Sequence, residues 1–210
     1  MYIKPLTTSA AVAVSANFVM TQAPDTTMPT TNTTEQDARL VLAVQAGNTE
    51  NFVLLYDRYL DKIYRFFYFR TQHKETAEDL TSQTFIKALD KIDTFHADRG
   101  TFQAWLYRIA HNLLVDTYRS PLRTTDIDEA KHIPSSDNLE LNAERALLQD
   151  TIEKVLLTLP PPTRVLVTMR IWDELSYAEI AAVLGKTEAS LKMQFSRAMV
   201  TLRESAALQN

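Results

Sequence analysis

From residue 35 onward, apolar residues recur every three or four positions, and no stretch alternates with period two. This pattern predicts helices and no sheet. "ARLVLAVQAG" is an apolar helix that stops at Gly47. "TENFVLLYDRYLDKIYRFFYFRT" follows, with Phe52, Leu55, Tyr56, Tyr59, Ile63, Phe66 and Phe67 on one amphipathic face. A third helix is expected from about Glu75 to Ile92 and a fourth from Phe102 to about Arg119. The loop "DTFHADRG" lies between them. Periodicity then lapses through Pro121–Asn138, returns near Leu139, and breaks at Leu159–Pro162, where proline removes donors and fixes φ. Three more helices follow: Thr163–Trp172, Tyr177–Leu184 and Glu188 to about Arg203. The expected fold is all-α, with two small helical domains, 35–120 and 139–206, joined by a flexible acidic linker at 121–138. Residues 1–34, rich in Thr and Ala, are expected to be a dispensable disordered tail, with Met28 as the natural start. The apolar run Ala10–Met20 follows a single Lys4 and is broken by Ser15 and Asn17, which argues against a secretory leader.

The second domain carries a specific turn. Ser176 and Glu179 form an S-x-x-E capping box, Gly185 supplies the turn, and Thr187 caps the next helix. Leu191, Phe195, Ala198, Met199 and Leu202 then share one face. The spacing describes a helix-turn-helix, although an ordinary helical hairpin has the same spacing. The outward face holds Ala189, Ser190, Met193, Ser196 and Arg197, flanked by Lys192 and Gln194. Lys192 and Arg197 suit phosphates or guanine edges, Gln194 suits adenine, and Met193 suits a thymine methyl.

In the first domain, Phe102, Leu106, Ile109 and Leu113 form the inward stripe of the fourth helix. Arg108, Asn112 and Arg119 cluster on another face, with Trp105 at the border. A tryptophan beside an Arg/Asn stripe fits a strand whose bases stack while its phosphates are held. The competing reading makes Trp105 core and the arginines mere solvation. The third helix is two-sided. Ala77, Leu80, Thr84, Phe85 and Ala88 face one way, and Ile86 and Leu89 face the other beside Asp79 and Ser82. A helix of that kind is central in a core or offers a partner site.

Composition narrows the chemistry. The 210 residues include no cysteine, which excludes disulfides and thiolate metal sites and agrees with a reducing compartment. Four scattered histidines lack metal-ligand spacing, and three glycines leave no phosphate-binding loop. No metal, cofactor or catalytic activity is expected, and no run reaches the roughly 18 apolar residues that span a bilayer. The net charge of -4 is unevenly spread: residues 120–150 carry 3 basic and 7 acidic side chains, while residues 151–210 are net +1. A nucleic-acid site needs local basic groups rather than a basic chain, so the acidic total does not exclude one.

"AEDLTSQTFIKAL", "FQAWLYRIAHNLLVDTYR" and "LSYAEIAAVLGKTEASLKMQFSRAMVTLR", in this order, resemble the signatures of bacterial sigma factors, and the short two-domain layout resembles the extracytoplasmic-function (ECF) group. The resemblance covers about Glu35 to Arg203. It implies a cytoplasmic protein, monomeric when free, that binds RNA polymerase core, recognises and melts promoter DNA, and is held by an anti-sigma protein. Asp79, Leu80, Gln83, Thr84, Phe85 and Lys87 are then the polymerase contacts. Phe95, Arg99, Trp105, Arg108, Asn112 and Arg119 engage the minus-ten element. Thr187, Ser190, Lys192, Met193, Gln194 and Arg197 engage the minus-thirty-five element. The family often has a basic residue where Gln194 stands. A stand-alone helix-turn-helix regulator is the alternative, and it leaves the Trp105 stripe and the two-sided helix unexplained.

Overall fold

The computed structural model describes residues 31–119 and 154–208. The expected tail up to residue 30, the linker at 121–138 and the start of the second domain near Leu139 lie outside the described residues. The elements are α1 (Thr31–Gln45), α2 (Asn51–Thr71), α3 (Lys74–Asp90), α4 (Phe102–Arg119), α5 (Pro161–Ile171), α6 (Tyr177–Leu184) and α7 (Glu188–Leu208). Two short 3-10 turns, Ile92–Thr94 and Ala97–Arg99, fill the loop before α4. Helix α1 begins at Thr31, four residues before the expected boundary, and α7 continues five residues past Arg203.

The helix ends have local causes. Gln72 takes a left-handed φ of 56° and closes α2. His73 then accepts the Thr76 backbone N–H through Nδ1 at 3.2 Å and opens α3. Pro160 caps α5, and Pro161 and Pro162 occupy its first turn, where a missing N–H is harmless. The capping box of α6 is present in both directions: Glu179 N–H donates to Ser176 Oγ at 3.2 Å, and Ser176 N–H donates to Glu179 Oε2 at 2.8 Å. Gly185 follows at φ 64°.

Helices α1 to α4 form the first unit around Val41, Leu55, Tyr59, Ile63, Phe66, Phe67, Leu80, Phe102 and Leu106. Asp37 is buried beneath it and accepts from the Tyr59 hydroxyl and from Arg58. Helices α5 to α7 form the second unit. Helix α5 is buried from Thr163 to Met169, the signature of a helix packed on all sides. Its neighbours are α2 of the first unit and α6 and α7 of its own. The apolar core is therefore continuous across both units, running from Val41 to Leu191.

The docked surface is polar at its centre. Asp173, 2% exposed, accepts the Tyr107 hydroxyl at 2.5 Å and Arg65 Nη2 at 3.0 Å. Its backbone carbonyl accepts Gln103 Nε2 at 2.7 Å. Two further links cross the boundary: Thr101 Oγ1 donates to Glu179 Oε1 at 2.6 Å, and Arg164 Nη1 donates to the Phe69 carbonyl at 3.3 Å. Burial pushes the Asp173 carboxyl above its ordinary value, and the Tyr107 hydrogen bond and the Arg65 charge pull it partly back.

Asp173→Ala should strip the buried Tyr107 hydroxyl of its acceptor and weaken docking by about 1–3 kcal/mol. Asp173→Asn keeps an acceptor and should be milder. Because the folded-state value is raised, the carboxyl's contribution is complete below the unfolded value near 3.8 and falls as pH rises through the folded one. Acidification should therefore not loosen the docked surface through Asp173. Hydrogen exchange of residues 101–107 and 163–180 in the three proteins, corrected for intrinsic rates, measures both effects.

Candidate nucleic-acid interface

The loop before α4 is anchored from below. Gln45 Nε2 donates to the carbonyls of Ile92 at 2.8 Å and Phe95 at 3.2 Å. Phe95 is buried, with ring contacts at 5.8 Å to both Phe102 and Trp105. In the free chain it is therefore a core residue that sets the loop's shape. Trp105 is half-buried, its ring tilted against Phe102 at 5.5 Å. It is both core and surface: packing fixes its plane and leaves part of it open. Arg99, Arg108, Asn112 and Arg119 are exposed. Helical geometry sets Arg108, Asn112 and Arg119 in line beside Trp105, as the sequence pattern required.

Helix α7 presents Ser190, Lys192, Met193 and Arg197 to solvent. Thr187 is exposed too, but its Oγ1 accepts the Ser190 N–H at 3.3 Å and caps the helix. Gln194 does not face outward freely. Its Nε2 donates to Thr163 Oγ1 at 2.8 Å and its Oε1 accepts from Lys186 at 3.4 Å. The expected adenine reader is thus committed to joining α7 to α5. Lys192 lies over the Tyr177 ring at 5.6 Å, and that ring in turn meets Phe195 edge-on at 6.0 Å. Tyr177 therefore props α7, a role hidden in the sequence because its spacing marks it only as a first-turn residue of α6.

Helix α3 is two-sided, as expected, but the expected polymerase set straddles both sides. Leu80, Thr84 and Phe85 are buried. Thr84 Oγ1 donates to the Leu80 carbonyl at 2.7 Å, and Phe85 packs on Tyr56 at 4.7 Å and Phe52 at 6.4 Å. These three pack inward and support the helix in the free chain. Asp79, Gln83 and Lys87 are exposed, together with Leu89 and with Ile86 at 62%. Among the described residues, no cluster of His, Asp or Glu could hold a metal ion, and no helix is long and apolar enough to cross a membrane.

Comparison with known proteins agrees with this layout. Residues 55–124 match the family model described as Sigma-70 region 2, and residues 149–202 match Sigma-70, region 4. The ECF RNA polymerase sigma factor SigW of Bacillus subtilis is 33% identical over 172 residues, covering 77% of this chain and 91% of SigW. The chain belongs to the ECF sigma factors. The sigma factor is also 41% identical to BldN of Streptomyces coelicolor over 171 residues, or 78% of this chain, and spans 63% of BldN's length. Among solved structures, CnrH in complex with the cytosolic domain of CnrY covers 83% of the sigma factor and 99% of the solved chain, with a TM-score of 0.59 and 25% identity. The region 2 match thus covers α2 from Leu55, α3 and α4, and the region 4 match covers α5, α6 and α7 as far as Leu202.

The split of α3 has a measurable consequence. Leu80→Ala should lower the sigma factor's stability to denaturant by about 2–5 kcal/mol. Asp79→Ala and Gln83→Ala should change it by about 0.5 kcal/mol or less, as exposed substitutions do. Urea unfolding followed by circular dichroism separates the two groups.

Proposed function

We propose that the sigma factor binds RNA polymerase core through the outer face of α3 and directs promoter-specific initiation with two separate DNA surfaces. The outer face of α3 combines Asp79 and Gln83 with apolar Ile86 and Leu89, a mix suited to a protein partner. The α4 stripe of Trp105, Arg108, Asn112 and Arg119, with Arg99 from the loop, takes the minus-ten strand as it opens. Ser190, Lys192, Met193 and Arg197 of α7 enter the major groove at the minus-thirty-five element. The observation that carries this reading is the exposure of both basic surfaces, one on each unit, in a chain of this family.

Geometry adds a requirement. The two promoter elements are about 25 base pairs apart, roughly 85 Å of duplex at 3.4 Å per pair. In the docked arrangement α4 packs directly on α6. The units therefore part before both elements are engaged, and the acidic segment between them spans the gap. The sigma factor acts by binding rather than catalysis, works in the cytoplasm, and is monomeric when free. The exposed face of α3 also suits an anti-sigma protein, which would compete with polymerase for Ile86 and Leu89. The similar CnrH, solved in complex with the cytosolic domain of CnrY, shows a chain of this fold held by a protein partner.

Stacking of an unpaired base on an aromatic ring is worth about 1–3 kcal/mol and exists only once the base has left the duplex. Contacts from a recognition helix need no melting. Trp105→Ala should therefore slow open-complex formation, and a template with a pre-melted minus-ten bubble should restore part of the rate. Arg197→Ala should weaken initial binding, reduce the salt slope by about one phosphate contact, and gain less from the bubble. Permanganate footprinting on both templates measures this. A wild-type protein that gives no promoter-specific transcript with its own core enzyme contradicts the function itself.

A further inference from the structure

Successive side chains on a helix turn by about 100°, so the outward arc of α7 follows from its buried residues. Leu191 and Ala198 are buried and fix the inward direction. Met193 lies about 160° from Leu191 and about 140° from Ala198, at the centre of the opposite face. It is 54% exposed. Around it, within about 60°, stand Ala189, Ser190, Ser196 and Arg197, all of them exposed. Ala189, Ser190 and Ser196 are small, so the thioether chain stands above its surroundings. Lys192 and Gln194 flank this arc, each about 100° from Met193, and both are engaged elsewhere. Lys192 reaches the Glu188 carboxylate at 4.0 Å and lies over the Tyr177 ring. Gln194 is held by Thr163 and Lys186.

The chemistry of the arc is therefore narrow. Ser190 to Arg197 is a rise of about 10 Å, which meets about three successive base pairs at 3.4 Å each. Met193 lies over the middle of that length. A thioether donates no hydrogen bond and accepts only weakly, so it gains little from the polar edge of a G·C pair. The apolar group on offer in the major groove is the thymine C5-methyl. The flexible, polarisable side chain can follow that methyl on either strand. Val200 is the other exposed large apolar side chain among the described residues of α7. It lies two turns farther on, past the N-terminal part of a recognition helix that meets base edges.

We infer that Met193 is a specificity-determining residue that reads a thymine methyl group at the centre of the minus-thirty-five element. This deepens the proposed function and rests on its placement of α7 in the major groove. It divides the residues expected at that element by task. Met193 selects a base pair through an apolar contact, Lys192 and Arg197 remain the cationic contacts, and Thr187 and Gln194 hold the helix. The selection favours thymine over any base that lacks the methyl group. It is insensitive to salt, because the contact neutralises no phosphate.

The test uses holoenzyme assembled from the full chain and core polymerase, with promoter fragments followed by fluorescence anisotropy at two salt concentrations. The fragments carry deoxyuridine in place of one thymidine at a time across the minus-thirty-five element, on each strand in turn. That exchange removes a methyl group and keeps every hydrogen-bonding edge. With wild-type holoenzyme, one position should weaken binding about fourfold, the value of one buried methyl group, and equally at both salt concentrations. In Met193→Ala that penalty should disappear, with the thymidine promoter bound as weakly as its deoxyuridine counterpart. Met193→Leu should keep most of the penalty, and Val200→Ala should keep all of it. Wild-type holoenzyme that binds every deoxyuridine fragment as tightly as the thymidine promoter overturns the assignment. So does a penalty that persists undiminished in Met193→Ala, or one that Val200→Ala abolishes. Failure of the wild-type holoenzyme to bind promoters contradicts the proposed function instead, so the two failures are distinguishable.

Discussion

A single carboxylate, Asp173, sits where region 4 meets region 2, and the relative placement of everything else follows from it. It is almost fully buried, and its two oxygens are used by Tyr107 and Arg65. Burying a charge is unfavourable unless it is paired and hydrogen-bonded. Here the pairing comes entirely from the other unit, so the group is satisfied only when the units are docked. The fit is imperfect, because buried Arg65 Nε has no partner. A polar centre of this kind confers position more than strength. It fixes the register of α5 and α6 on α2 and α4 while the surrounding apolar contacts supply the affinity.

The same arrangement explains which surfaces remain available. Docking uses the side of α4 that bears Gln103 and Tyr107, leaving Arg108, Asn112 and Arg119 open on another. Helix α7 packs inward through Leu191 and Ala198 and leaves Lys192, Met193 and Arg197 outside. Helices α4 and α7 thus each have one face for the protein and one for solvent. What docking restricts is the distance between the two surfaces, not their exposure.

Much of this was legible in the sequence. Helix α4 begins and ends as expected at Phe102 and Arg119, and α6 at Tyr177 and Leu184, because caps and periodicity are local signals. The stripe beside Trp105 was legible for the same reason. The expected site residues that are buried or committed to internal contacts share another cause. Leu80, Thr84 and Phe85 lie within a motif read as a block, but side chains in a helix diverge by about 100° per residue, so a contiguous motif spans both core and surface. Phe95 sits in a loop, where no periodicity separates a core aromatic from a stacking one. Gln194 is withdrawn by Thr163, a partner 31 positions away that only tertiary packing supplies. The Asp173 contacts are likewise long-range, 66 residues to Tyr107 and 108 to Arg65, and no local pattern announces them.

The central claim is that the docked units part when the sigma factor engages a promoter. The direct measurement is the distance between probes on exposed positions of α3 and α7, such as Ser82 and Arg197's neighbour Ser196, in the free chain and in an active holoenzyme–promoter complex. Double electron–electron resonance or single-molecule energy transfer reads it. The account predicts a single short distance in the free chain and an increase of several tens of ångströms on the promoter, towards the roughly 85 Å that separates the two elements. A complex that initiates transcription with the free-chain distance unchanged would contradict it.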